Sequence, residues 1–168
     1  AKDMVIGLMG PRQTWRVCGP QDMSKEEWDF TKKTGVTFVH IEMEEVTDRA
    51  AAISDEEAEK TLAELMKRSG KSVADKKALV YMAKVYMATK EIIAKYHLTS
   101  VAAECYPNYG GLMNLVSSWM ADEGVLVDTE GDLGHAFVIN TLNQLAGGGV
   151  VALGEAGSID IERNIVPV

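Results

Sequence analysis

The sequence predicts an α/β fold, a three-layer sandwich with a mostly parallel sheet and helices on both faces. Three observations carry that prediction. Short apolar or β-branched runs alternate along the chain with longer stretches of helical period. Helix-start signals precede several of those stretches, and glycines follow them. Strands separated by helical crossovers pair in parallel, and a parallel sheet needs cover on both faces.

Residues 4–10 are continuously apolar and end at Gly10-Pro11, which predicts a buried first strand. The loop from Pro11 to Met23 carries Arg12, Gln13, Trp15, Arg16 and Cys18. Loops at strand ends commonly face the site in such folds. Arg12 and Arg16 suit either an anionic or polyhydroxyl ligand or structural ion pairs. Ser24-Lys25-Glu26-Glu27 is a capping box and opens a helix to about Lys33, with Gly35 as its terminator. Val36 to Ile41 is β-branched and aromatic and predicts the second strand. Three helical segments follow. One is opened by the capping box Ser54-Asp55-Glu56-Glu57 and runs to about Arg68. The longest is opened by Ser72 with Asp75 and ends near Tyr96-His97. Leu79, Met82, Ala83, Tyr86, Ile93 and Ala94 give the long helix an apolar stripe. Thr99 to Cys105 is the third strand. A helix from Leu112 to about Glu123 stops at Gly124. Val125-Leu126-Val127 is the fourth strand, Leu133 to Ala146 a helix, and Val150 to Leu153 a fifth strand.

The 168 residues suffice for one compact domain, which at this size buries about 70% of its unfolded surface. A net charge of −8 argues against nucleic acid, because phosphate binding needs clustered Lys and Arg. No apolar run reaches the roughly 20 residues that span a bilayer, and no signal-peptide pattern opens the chain, so no membrane partner is expected. Cys18 and Cys105 have no metal-like spacing and read as free thiols, which makes the cytoplasm the expected location. Acids from Glu42 to Glu59 crowd one segment; a solvated helical surface and a cation-binding patch are both open readings.

Most chemical motifs are absent. Gly7-Leu8-Met9-Gly10-Pro11 follows a strand but is not G-x-G-x-x-G, and there is no P-loop or G-x-S-x-G. What remains are carboxylates. Glu104, Glu130 and Glu155 each end a predicted strand, and Asp132 lies just past one. Parallel sheets bind ligands beyond those strand ends. Acids gathered there repel one another unless a cation or protons intervene. The other reading is that each caps a helix or pairs with Lys or Arg. Oxygen ligands suit Mg²⁺ or Mn²⁺, and Mn²⁺ also tolerates imidazole.

Glu104-Cys105-Tyr106-Pro107, then Met120-Ala121-Asp122-Glu123-Gly124, then Glu130-Gly131-Asp132 resemble the metal-dependent ketol isomerases of the L-fucose and L-arabinose isomerase superfamily. The similarity is strongest over residues 99–155. It implies that Glu130 and Glu155 are both metal ligands and catalytic acids, holding Mn²⁺ or another divalent cation and shuttling protons in an ene-diol interconversion of aldose and ketose. Glu104 and Asp132 match family motifs and would have support roles, such as orienting ligands or the sugar. Arg12 is a candidate sugar contact from its place in the loop after the first strand, not from the resemblance. The resemblance further implies homo-oligomers and histidine ligands from a C-terminal domain. Residues 1–149 are therefore expected to match the middle domain of a longer isomerase and 150–168 the start of the next, with this chain alone largely inactive. His135 follows the E-G-D, in a helix, where a surface or capping role is expected. Two rival readings stay open. One is a non-catalytic carbohydrate-binding module using Tyr106, Tyr109 and Trp15; the other is a regulatory or oligomerisation domain with structural acids.

Overall fold

Val5–Met9 forms β1, and β1 takes a partner on each side. In the computed structural model, which describes residues 3–10, 27–69, 71–104, 109–149, 151 and 160–165, the sheet order is β2-β1-β3-β4. β2 is Thr37–Ile41, β3 is Ser100–Ala103 and β4 is Leu126–Asp128, and every pairing is parallel. Six helices occupy the described residues: α1 (Glu27–Thr34), α2 (Met43–Ala52), α3 (Asp55–Ser69), α4 (Lys76–Tyr96), α5 (Asn114–Ala121) and α6 (Leu133–Leu145). The predicted α/β sandwich is the observed architecture.

Strand side chains alternate between faces, and here the alternation separates two cores. Met9, Ile41, Val101, Ala103 and Val127 join the core built with α2 to α5. Met4, Ile6, Leu8 and Ala102 join a smaller core with Leu133 and Ala136 of α6. Phe30 of α1 closes that second face, edge-on to Phe38 at 5.9 Å and to Phe137 at 5.1 Å. The third layer is therefore α1 and α6.

Several sequence signals act as expected. Ser54 and Glu57 form the reciprocal box: the Glu57 N–H donates to Ser54 Oγ at 3.2 Å, and the Ser54 N–H donates to Glu57 Oε2 at 3.4 Å. Gly35 has φ 79° and ends α1 through its N–H to Thr31 O at 2.7 Å. Two details differ. α4 starts at Lys76, and Asp75 is its cap, accepting from the N–H groups of Lys77 and Ala78; Ser72 Oγ accepts only from Ala74. An aspartate directly before the helix meets the orphan amides, whereas Ser72 lies a turn too early. The buried face of α4 is also wider than the predicted stripe, taking in Val80, Val85, Ala88 and Ile92. The cause is that α4 packs against α2, α3 and α5 together.

The α3–α4–α5 layer is joined by polar contacts. Trp119 Nε1 donates to Ser69 Oγ at 2.8 Å, and its ring meets Tyr86 edge-on at 6.0 Å. Glu123 accepts from the Tyr86 hydroxyl, from Lys90 at 2.6 Å and from Arg68 at 3.2 Å. The acids of 42–59 are largely exposed on α2, α3 and the residues that precede them, as a solvated helical surface requires. Among the described residues no helix is long and apolar enough to cross a membrane. Ser24, Cys18, Cys105 and the predicted fifth strand, except Val151, lie outside the described residues.

Candidate functional site

The order β2-β1-β3-β4 reverses direction at β1, so a switch point lies between β1 and β3. Ligands of open parallel sheets bind outside the carboxyl ends of the strands, above all at such a point. Gly10 ends β1 there and Glu104 follows β3. The Glu104 N–H donates to Met9 O at 2.8 Å, and the Gly10 N–H donates to Ile41 O at 2.8 Å. Glu104 is 2% exposed. Its side chain occupies the space above Gly10, where a Cβ would lie 2.7 Å from Glu104 Oε2.

Tyr109 belongs to the same edge. Its hydroxyl donates to Glu44 Oε1 at 3.0 Å. Burial, that hydrogen bond and the charges of Glu44, Glu104 and Glu42 together raise the hydroxyl pKa above its ordinary value.

One strand further along, Asp128 is the last residue of β4, with its side chain 0% exposed. A carboxylate removed from water needs hydrogen-bond partners, since an uncompensated one costs several kcal/mol. Asp128 has three. Oδ2 accepts from the N–H of Glu130 at 3.1 Å and from the N–H of Asp132 at 2.7 Å. Oδ1 accepts from Nδ1 of His135 at 2.6 Å. The turn Thr129 to Asp132 is thus wrapped around one buried carboxylate, and Gly131 supplies its left-handed residue at φ 69°. Asp132 then caps α6, with Oδ1 accepting from the N–H groups of Gly134 and His135 at 2.8 and 3.0 Å.

His135 presents a 17% exposed side chain to a groove of about 450 Å³ between α5 and α6, which Ser117, Ser118, Asp122 and Thr129 also line. The Asp128 hydrogen bond, followed by the charges of Asp128, Asp132 and Glu130, raises the His135 pKa above 6.5 against the opposing effect of burial.

Of the residues singled out from sequence, Glu104, Glu130 and Asp132 lie at the carboxyl edge of β3 and β4. Glu155 and Arg12 lie outside the described residues, as do Tyr106 and Trp15. Asp132 has a capping duty, which occupies Oδ1. The surface or capping role expected for His135 is corrected: its ring is tied to a buried aspartate. Asp128 was not singled out at all. Its signal was nevertheless present, because an aspartate two residues before an amide in a glycine-containing turn is the pattern of an Asx-turn. Among the described residues no three of His, Cys, Asp and Glu are placed to hold a metal ion together.

Comparison with protein-family models gives no match, and comparison with curated proteins gives none.

Proposed function

We propose that the chain forms part of the sugar and metal site of a divalent-metal-dependent ketol isomerase of the L-fucose and L-arabinose isomerase type. The observation that carries this reading is the E-G-D turn. Its backbone is pinned by the buried Asp128 at the carboxyl end of a parallel strand, so Glu130 starts from a fixed position.

The donor chemistry suits a hard divalent ion such as Mn²⁺, which carboxylate oxygens and an imidazole hold. Glu130 and Glu155 would be its protein ligands here. Because no three donors converge among the described residues, the reading calls for donors besides Glu130, Glu155 among them. When bound, the ion would polarise the C1 and C2 oxygens of the sugar.

The chain's own groups supply the rest. A carboxylate at Glu130 or Glu155 would take a proton from C2, beside the aldehyde carbonyl, and return it to C1, while the hydroxyl proton passes from the C2 oxygen to the C1 oxygen, turning aldose into ketose through the ene-diol. Glu104, buried at the switch point beside Gly10, suits accepting a hydrogen bond from a sugar hydroxyl in a site that excludes water. In this reading residues 1–149 are a middle domain, 150–168 begin another, and the working enzyme is a cytoplasmic homo-oligomer. The 168 residues alone turn over little or no sugar.

The test is Mn²⁺ binding by the wild-type chain and by Glu130→Gln, followed by water-proton relaxation. The expected loss is roughly tenfold or more in affinity, the size of one charged contact, at unchanged circular dichroism. Sugar binding that survives EDTA would favour a non-catalytic carbohydrate module instead. Equal Mn²⁺ affinity in both chains would overturn the metal assignment.

A further inference from the structure

We infer that His135 is a positioning residue for Glu130, acting through Asp128. The functional consequence rests on the reading of Glu130 as a metal ligand; the structural part stands apart from it.

The contacts form a closed circuit. Asp132 caps α6 and in doing so fixes the first turn of the helix, which presents His135. The His135 ring donates from Nδ1 to Asp128 Oδ1. Asp128 Oδ2 then holds the N–H of Asp132, completing the circuit, and the N–H of Glu130. Such rings of hydrogen bonds in a site of low dielectric reinforce one another.

The geometry gives the imidazole a definite task. The terminal torsion of an aspartate is broad and roughly two-fold, so two amides on one oxygen do not by themselves fix the carboxylate plane. A strong donor on the other oxygen does. Without it, a side chain with 0% exposure leaves Oδ1 without this donor. The carboxylate then relaxes by rotating. That rotation weakens an acceptor that two turn amides share, and the Glu130 backbone loses its anchor. These bonds hold the Glu130 amide, so this part of the effect reaches its carboxylate through the backbone.

The experiment uses the full 168-residue chain and three variants. His135→Leu keeps bulk and removes the donor. His135→Asn offers an amide nitrogen close to the place of Nδ1. His135→Gln carries its amide one carbon further out. Amide hydrogen exchange at Glu130 and Asp132 is read against the amides of β1 and β3, and Mn²⁺ affinity is measured in parallel. The expected result is exchange at the two turn amides faster by roughly tenfold or more in His135→Leu, with a matching loss of Mn²⁺ affinity. His135→Asn restores most of both, which a role in packing alone would not produce. Unchanged exchange at Glu130 and Asp132 in His135→Leu overturns the inference. If His135→Leu does not fold, His135→Gln takes its place against His135→Asn, and equal turn exchange in those two overturns it. If the wild-type chain binds no Mn²⁺, the isomerase reading fails, and the exchange comparison still decides the role of His135.

Discussion

Gly10 and Glu104 share a space that admits one side chain. A Cβ on Gly10 would lie 2.7 Å from both Cβ and Oε2 of Glu104, and Gly10 has φ 88°. The two residues end neighbouring parallel strands at the point where the sheet reverses its order. The absence of a side chain at 10 is what lets a carboxylate be buried at 104.

Gly10→Ala therefore meets two penalties, a left-handed backbone and a collision. A destabilisation of about 1–3 kcal/mol is expected, read as a lower urea midpoint. A midpoint equal to that of the wild type would show that the strand ends separate easily.

Asp128→Ala removes the acceptor of three hydrogen bonds from a buried position. Destabilisation of roughly 2–4 kcal/mol is expected, because two turn amides and an imidazole lose their partner. Asp128→Asn keeps the shape and one acceptor oxygen, so it should lose less. In both variants the imidazole of His135 should titrate at lower pH than in the wild type, which a proton NMR titration reads directly.

The His135 pair also makes stability depend on pH. Its folded pKa lies above the ordinary 6.5, chiefly through Asp128 and with help from the charges of Asp132 and Glu130. A raised pKa in the folded state means that folding favours proton uptake. The stabilising contribution is complete below pH 6.5 and is lost as the pH rises through the folded value. The melting temperature of the wild type should fall over that window relative to His135→Asn, which does not titrate. Parallel curves for the two proteins would refute the coupling.

Asp75→Ala should shorten or fray the start of α4 and lower stability by about 1 kcal/mol, the usual value of an N-cap. Ser72→Ala should change it far less, since Ser72 Oγ accepts only from Ala74. Equal effects in thermal melts would restore Ser72 as the helix start.

The layered fold was legible because its signals are local. Alternating apolar runs gave the strands, and Ser54 with Glu57 gave one helix start. The carboxyl-edge position of Glu104 and Glu130 followed from strand order alone. The Asp128–His135 pair was not legible in the same way. Its two members meet only because α6 leaves β4 through a left-handed Gly131, and no periodicity encodes that direction. The partners of surface acids were hidden for the same reason. Arg49 donates to Glu91 at 2.5 Å and Lys95 to Glu45 at 2.7 Å, joining α2 to α4 across stretches that sequence spacing does not relate.

The central place of β1 bears on how the chain folds. One neighbour, β2, is the next strand in sequence. The other, β3, comes much later, and the contact of the Val5 N–H with Thr99 Oγ1 spans 94 positions. The loop entropy of that closure has to be met before the pairing returns any stability, so the rate is set by distant contacts. On a ribosome, β1 leaves the exit tunnel long before β3 exists, with one edge of unpaired backbone N–H and C=O groups waiting. Glu104, Asp128 and the E-G-D turn all lie on the late side of that closure. The candidate site therefore forms only after the longest-range step in the sheet, and a slow variant at Leu98 to Ala103 would delay site formation while leaving β1 and β2 free to pair.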